Sequence, residues 1–422
     1  MLSRPTGTLF HRACGCLALL LLAVGFLHSN PPERSDKPPE LLIAIGDVHG
    51  DFDDFCFLLK RVGLVDAQHH WTGGNTTLVQ TGDLIDRGPK GREVMDLFIS
   101  MEKEATKAGG QVVPLLGNHE VMNILGDLRY VSPENYAVFA DSESAKRRKA
   151  AYQEYAAWYT SHAELLAAHK QPALPATEEE WMAKHPAGYL EYREALSPDG
   201  NYGKWLRHHA AVAKIGGVIL LHGGIHPNLI TLSLEQINSR IQEEIEEFDK
   251  TKQDLVSRKL ILPFFTIQEI VVAVEAQLFA DRTVKTEQDA EYQARLVRLL
   301  GFNNWLCMRD DGPLWFRGYD QWSEEEGAPQ VERVLAAYDA GHIVVAHTVQ
   351  KAAHIRCRFG GKVFLIDTGM LQRIGGAAGP RRSKSAQAAN SLPSTWTDRR
   401  CCSRKNLFSP REKRTTCHRW RA

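Results

Sequence analysis

The apolar residues of this chain fall into short runs, and their spacing predicts its elements. "LLIAIG" (41–46), "TTLVQTG" (76–82) and "QVVPLLG" (111–117) are continuous apolar stretches that each end at glycine. Runs of that length suit buried strands. Between the first two, Phe52, Phe55, Leu58, Leu59 and Val62 recur at helical spacing behind Asp51, Asp53 and Asp54. Acidic residues favour a helix N-terminus, so a helix is expected there. "GREVMDLFISMEKEATKAGG" (91–110) reads as an amphipathic helix closed by a glycine pair. Strand alternating with helix predicts parallel pairing in an α/β layer structure. "GGVILLHGG" (216–224), "GHIVVAHT" (341–348) and "GKVFLIDTG" (361–369) repeat the strand pattern, each running into a polar residue.

Two regions differ. Residues from about 130 to 205 are Ala-rich, charged and helical in period, which predicts a helical insertion lying over the sheet; residues 232–301 are also helical in pattern. Beyond Gly375 periodicity is lost, and the basic, Ser-rich residues 376–422 are expected to be a disordered tail. At the other end, Arg4 and Arg12 precede "CLALLLLAVGFL", with no acidic residue before Glu33. That order predicts a signal peptide, or an uncleaved signal anchor, followed by a Pro-rich linker to residue 39. The run is shorter than the ~20 residues of a full span. The expectation is therefore the secretory pathway or a membrane anchor rather than the cytoplasm, with a catalytic domain over 40–375.

Composition narrows the class. An apolar content of 43% and a charged content of 24% in 422 residues describe a globular chain with one large domain or two ordinary ones. A formal net charge of zero gives no global field toward nucleic acid. The eight cysteines include no Cys-x-x-Cys pair, which argues against a structural zinc site and a disulfide scaffold. Cys56, Cys307 and Cys357 are expected to be small buried apolar residues.

The candidate chemistry lies just after the strands. The first is followed by "GDVHGD", with Asp47 and His49; the second by "GDLIDRG", with Asp83, Asp86 and Arg87; the third by "GNHE", with Asn118 and His119. Later strands run into His222 and His347. A single Asp there is usually a helix cap, but capping does not explain five such endings in order. Active sites of open α/β sheets form at the carboxyl ends of strands. Mixed oxygen and nitrogen donors without thiolate suit Mn²⁺, Fe or Zn²⁺ rather than Ca²⁺. Two ions ~3.5–4 Å apart, sharing one carboxylate, can clamp both oxygens of an in-line displacement at phosphorus.

"GDVHG", "GDLIDRG" and "GNHE" resemble the three signature blocks of the phosphoprotein phosphatase family of metallophosphatases. "GNHEVMNILGDLRYV", "NYGKWLR", "LLHGGIHP" and "GPLWFRG" are similar to its Shewanella-like, bacterial-type branch, over about residues 40–372. The resemblance implies a metallophosphoesterase-type β-sandwich flanked by helices, with the helical insertion over the active-site edge. It implies that Asp47 and His49 bind a first metal, that Asp83 bridges, and that Asn118, His222 and His347 complete a second. It further implies that His119 protonates the leaving group, Asp86 orients His119, and Arg87 grips phosphate. Arg317 of "GPLWFRG" is the candidate second clamp. The implied activity is hydrolysis of phosphomonoesters on a phosphorylated protein by a hydroxide bridging two divalent cations, Mn²⁺ ahead of Fe or Zn²⁺. A dinucleoside polyphosphate hydrolase shares the blocks and is the alternative. A non-catalytic phosphate-binding module is disfavoured by the complete donor set. Two departures stand out: Ala346 replaces the glycine before the last histidine, and "LIDTGM" stands near the place of the loop motif of the eukaryotic branch.

Overall fold

A computed structural model describes residues 41–168, 170–171, 174–280, 286–370 and 420–421. The expected targeting segment and linker, and nearly all of the expected disordered tail, lie outside these residues. Strands β1 (Leu42–Ile45), β2 (Thr77–Gln80) and β3 (Gln111–Pro114) form a parallel sheet in the order β3-β2-β1, with Leu42 opposite Thr77 and Thr77 opposite Gln111. Trp420–Arg421 adds a two-residue strand alongside β1. The second sheet contains β4 (Val212–Ile215), β5 (Val218–Leu221), β6 (His342–Val345), β7 (Arg356–Arg358) and β8 (Val363–Leu365), in the order β4-β5-β6-β8-β7. Its central strands β5, β6 and β8 pair in parallel, and β4 and β7 pair antiparallel at the edges. Neither edge strand was expected. β4 joins β5 through Gly216-Gly217, with φ of +56° and +79°, the backbone a two-residue hairpin turn requires. β7 is the polar tripeptide Arg-Cys-Arg and presents no apolar run.

The side chains of each strand divide by alternation. Leu42, Val79 and Leu115 meet Ala213, Val218, Leu220, Val344, Ala346 and Ile366 in one core between the sheets. Ile43, Ile45, Leu78, Leu116, Ile219, Leu221, Ile343, Val345, Val363 and Leu365 belong to the other core, with the helices. Each sheet therefore buries one face on the other sheet and one under helices, and the strands read as continuous apolar runs. This is the expected helix-flanked sandwich.

Helix α1 (Phe52–Arg61) begins where the Asp51 carboxylate accepts the Asp54 N–H. Its Phe55 stacks on Phe98 of α2 (Gly91–Lys107) with ring centroids 5.2 Å apart. Helix α3 (Asn118–Leu125) follows β3 at once. The insertion comprises helices Pro133–Ala137, Ser144–Ala168, Glu178–Lys184, Tyr189–Ala195 and Asn201–Arg207. It is bonded to α2, where Arg92 donates to the Val138 carbonyl and the Tyr202 hydroxyl, and Tyr202 donates to Asp96. One end reaches the strand-end loops, where the Arg87 N–H donates to the Tyr130 carbonyl at 2.9 Å. The later helical region is Leu234–Ser257, Ile267–Ala280 and Glu287–Leu300. No described helix is long and apolar enough to cross a membrane. Cys56 and Cys307 are buried as expected, whereas Cys357, on an edge strand, is only partly so.

The loops after β2 and β3 meet glycine against glycine. Gly82 has φ +96°, and a Cβ there would lie 2.5 Å from the Cα and N of Gly117. Gly63 has a similar φ of +77° but open space around it. Gly63→Ala should therefore destabilise by left-handed strain alone, about 1–2 kcal/mol. Gly82→Ala should add overpacking and reach about 2–5 kcal/mol. Urea unfolding of both variants checks this, and equal losses would show that the loop contact contributes nothing.

Candidate metal centre

The strand-end loops hold five non-glycine residues in left-handed backbone: His49, Asp83, Asp86, Arg87 and His347, at φ +49°, +60°, +70°, +63° and +64°. Such conformations are strained and persist only where the surroundings over-determine them. Much of that restraint comes from Glu120, fully buried in the first turn of α3. Its carboxylate accepts the N–H groups of Asp83 (2.8 Å), Leu84 (2.8 Å) and Gly117 (2.9 Å). Burial and then the Asp83 charge push Glu120 up to about 7, opposed by those N–H bonds. The loop after β1 hangs on the same frame, since the N–H groups of Val48 and His49 donate to the Asp83 carbonyl at 2.9 Å each.

Around His222 the donor atoms converge. Its Nε2 lies 2.9 Å from Asn118 Oδ1, 3.0 Å from His347 Nδ1 and 3.3 Å from Asp83 Oδ2. Its Nδ1 lies 3.0 Å from the Thr81 carbonyl, which can only accept, so the ring proton is assigned to Nδ1. Nε2 then presents a lone pair to two oxygens that also present lone pairs. Asn118 is turned so that Nδ2 meets Met122 Sδ and Oδ1 faces inward. Separations near 3 Å are those of neighbouring ligands on an ion with bonds of about 2.1 Å. A backbone carbonyl behind the ring is also the usual support of a metal-binding histidine. A cation reconciles these facing lone pairs.

A second cluster adjoins it. His49 Nδ1 bonds the Ile85 carbonyl at 3.1 Å, and its buried Nε2 has no hydrogen-bond partner. That Nε2 is 3.5 Å from Asp83 Oδ2 and 3.7 Å from Asp47 Oδ2. Burial lowers His49 to about 3, so the ring is neutral and able to ligate. Burial, with the Asp367 and Asp83 charges, holds Asp47 well above the usual carboxylate range. Burial, with the neighbouring His222 imidazole and the Arg317 charge, holds His347 well below the usual imidazole range, and its Nε2 is also unpartnered. The groups His49/Asp83/His119 and Asp83/His222/His347 each bring ligand atoms within 4.8 Å of one another, with Asp83 common to both. The donors thus fit two cations sharing Asp83.

His119 follows Asn118 and turns toward Asp86, with its Nδ1 2.8 Å from Asp86 Oδ2. Burial alone would lower His119, but the Asp83 and Asp86 carboxylates outweigh it and raise the ring. Arg87 Nη2 lies 3.3 Å from His119 Nε2, and its guanidinium sits 5.8 Å from the Tyr130 ring centroid. Arg317 Nη1 donates to the His347 carbonyl at 3.2 Å and the Thr348 hydroxyl at 3.0 Å. Its segment is fixed to the "HGG" loop, because the N–H groups of Gly223 and Gly224 donate to the Pro313 carbonyl. The fold thus gathers Asp47, His49, Asp83, Asp86, Arg87, Asn118, His119, His222, Arg317 and His347 at one edge of the sandwich.

Sequence reasoning missed three contributors: Glu120, Asn123 and Asp367. Asp367, 2% exposed, follows β8 as Asp47 follows β1, so the strand-then-Asp pattern was its available signal. One of its oxygens accepts the Gly369 N–H at 2.9 Å, and Oδ2 is buried without a partner. Burial raises Asp367, and its charge in turn raises Asp47 beside it.

The family profile described as calcineurin-like phosphoesterase matches residues 41–351. Shewanella-like protein phosphatase 2 of Arabidopsis thaliana is 32% identical over 238 residues, covering 53% of this chain and 58% of that protein, so the chain spans little more than half of this relative. Shewanella-like protein phosphatase 1 of Plasmodium berghei is 25% identical over 332 residues, covering 78% and 67%. Among solved structures, the cold-active protein-tyrosine phosphatase of a psychrophilic Shewanella species shares 24% identity with a TM-score of 0.47, covering 80% of this chain and 72% of that one.

Asp367 predicts a metal-retention phenotype. Asp367→Asn keeps an acceptor for Gly369 but removes the charge beside Asp47. Support residues of this kind typically contribute 10–100-fold in affinity. Mn²⁺ retained against a competing chelator should fall by about that factor. Unchanged retention would reduce Asp367 to a loop-forming residue.

Proposed function

The chain belongs to the calcineurin-like phosphoesterase family, and we propose that it is a metal-dependent phosphoprotein phosphatase acting on phosphomonoesters. The observation that carries this reading is the pairing of Asn118 and His119: the first faces the lone-pair cluster at His222, and the second is bonded to Asp86. Metal donor and proton donor are successive residues. Asp47, His49 and Asp83 would hold one cation, and Asp83, Asn118, His222 and His347 the other, with Mn²⁺ favoured and Fe or Zn²⁺ also compatible with the donors. Two such cations supply a water of lowered pKa and neutralise charge at the phosphoryl oxygens.

The chain's own groups do the rest. Arg87 and Arg317 offer guanidinium forks to phosphate oxygens, a bidentate match that lysine lacks. Anchoring Arg317 Nη1 on the His347 carbonyl and Thr348 fixes the plane of that fork. Asp86 accepts a hydrogen bond from the Nδ1–H of His119 and favours the imidazolium, whose Nε2 proton goes to the leaving oxygen. A module that only bound phosphate would have no use for this buried acid. The substrate proposed is a phosphorylated side chain of a protein, presented past Tyr130, which is 43% exposed beside His119.

The test is turnover of phosphoserine and phosphotyrosine peptides and of diadenosine tetraphosphate by the Mn²⁺-loaded chain. Phosphopeptide hydrolysis abolished by chelation and restored by Mn²⁺ is expected. Preference for the dinucleotide would identify a polyphosphate hydrolase instead, and no turnover at full metal content would identify a binding module. Arg317→Ala and Arg317→Lys should both lower kcat/KM by about 10–100-fold with metal retained, the worth of one charge-assisted bond to the transition state. An unchanged value would leave Arg317 a surface residue.

Residues 1–40 are proposed to direct the chain to the secretory pathway or a membrane, on the strength of Arg4, Arg12 and the apolar run after them. A reporter fused to this segment should concentrate on endomembranes. A diffuse cytosolic signal would count against it.

A further inference from the structure

Asn123 lies one turn after His119 on α3 and is fully buried. Its Nδ2 is 2.9 Å from each oxygen of Asp86 and 2.9 Å from the His119 carbonyl. Its Oδ1 accepts the Tyr192 hydroxyl at 2.7 Å. The amide orientation follows from these neighbours. A carboxylate and a carbonyl only accept, so the NH₂ must face them and the oxygen must face the phenol. Turned over, Asn123 would set its oxygen against both Asp86 oxygens. Among the described residues, His119 and Asn123 are the hydrogen-bond donors to the Asp86 carboxylate.

Tyr192 belongs to helix Tyr189–Ala195 of the insertion, far along the chain from α3. Its ring is gripped edge-on by Tyr136 and Phe139, at centroid distances of 5.2 and 5.3 Å. The adjacent Arg193, 8% exposed, donates through Nη1 to the Asn123 carbonyl at 3.2 Å and through Nη2 to the Phe265 carbonyl at 3.4 Å. Its charge thus meets the C-terminal end of α3, whose own last turn has no basic residue. Gly126 leaves the room, since a Cβ there would lie 2.7 Å from Arg193 Nη2.

We propose that the helical insertion positions the general acid: Tyr192, through Asn123, fixes the Asp86 carboxylate that orients His119. This rests on the role of His119 given above. The line Tyr192–Asn123–Asp86–His119 runs from the insertion to the reacting face with a defined donor and acceptor at each step. None of its first three members touches phosphate, so they are positioning residues. Losing the Tyr192 hydroxyl leaves the Asn123 oxygen without its donor and loosens the amide, and losing the amide frees the carboxylate to rotate away from Nδ1.

An acid matters in proportion to the basicity of the leaving group. 4-Nitrophenolate departs largely unaided, whereas the alkoxide of a phosphoserine needs the proton. The experiment measures kcat/KM of the Mn²⁺-loaded protein on p-nitrophenyl phosphate and on a phosphoserine peptide, for wild type, Tyr192→Phe, Asn123→Leu and Tyr202→Phe. The ratio of the two should shift against phosphoserine by about 5–10-fold in Tyr192→Phe and about 100-fold in Asn123→Leu, within the range an oriented acid supplies. Tyr202→Phe, which removes an insertion hydroxyl bonded to Asp96 instead, should leave the ratio unchanged. Equal losses on both substrates, or none, would overturn the proposal. If Asn123→Leu does not fold, Tyr192→Phe decides. A second readout is independent of turnover: the downfield Nδ1–H proton resonance of His119 in Zn²⁺-loaded protein. It should move or broaden in Tyr192→Phe and not in Tyr202→Phe, and an unmoved resonance would overturn the proposal. A wild type without phosphatase activity would refute the proposed function, while this resonance still decides the positioning.

Discussion

The Asp83 carboxylate is the point on which the structure turns. Its backbone carbonyl receives the loop after β1, its Oδ1 receives the His119 N–H at 3.1 Å, and its Oδ2 lies 3.3–3.8 Å from His222, His49 and His119. Three loops from three strands are thus located by one residue, which is itself held by Glu120. The same arrangement buries Asp47, Asp83 and Asp367 together. Uncompensated charges in that setting are strongly destabilising, and partnered ones far less so. Cation binding and the stability of this edge of the sandwich are therefore one equilibrium viewed from two sides.

The left-handed residues show what that frame carries. Each non-glycine residue in that conformation stores roughly 1–2 kcal/mol. Five residues strained in this way, His49, Asp83, Asp86, Arg87 and His347, lie in the candidate centre, while others such as His69 and Lys259 lie outside it. Extended backbone at these positions would aim alternate side chains to opposite faces. The left-handed turns instead let Asp83 and Asp86, three positions apart, face the same space.

Much of the centre was legible because its residues follow apolar runs directly, and a run ending in Gly-Asp or Gly-Asn-His is visible without any contact map. The sandwich was less so. Continuous apolar runs say that both faces of a strand are buried, but not whether helices or a second sheet cover them; that came from resemblance. β4 and β7 escaped because one is a four-residue arm turned by Gly216-Gly217 and the other is polar. Asn123 and Tyr192 escaped for a deeper reason. A hydrogen bond between residues 69 positions apart leaves no periodic trace. Glu120 carries no pattern that separates it from any other acid in a helix's first turn, and only its backbone partners reveal its role.

Asn118 and His119 are neighbours on one helical turn, and successive side chains on a helix diverge by about 100°. The divergence of the two side chains at their Cα atoms is therefore a property of backbone geometry, and packing through Asp86 sets only the rotation of the His119 ring. In the proposed phosphatase, a core fixed in this way is indifferent to what the phosphate is attached to. Selectivity then falls to the rim, where Tyr130 and the outer faces of the insertion can change without disturbing Tyr192 or that divergence. Such a division lets a lineage acquire new substrates by altering the entrance alone, while the apparatus behind it is inherited intact.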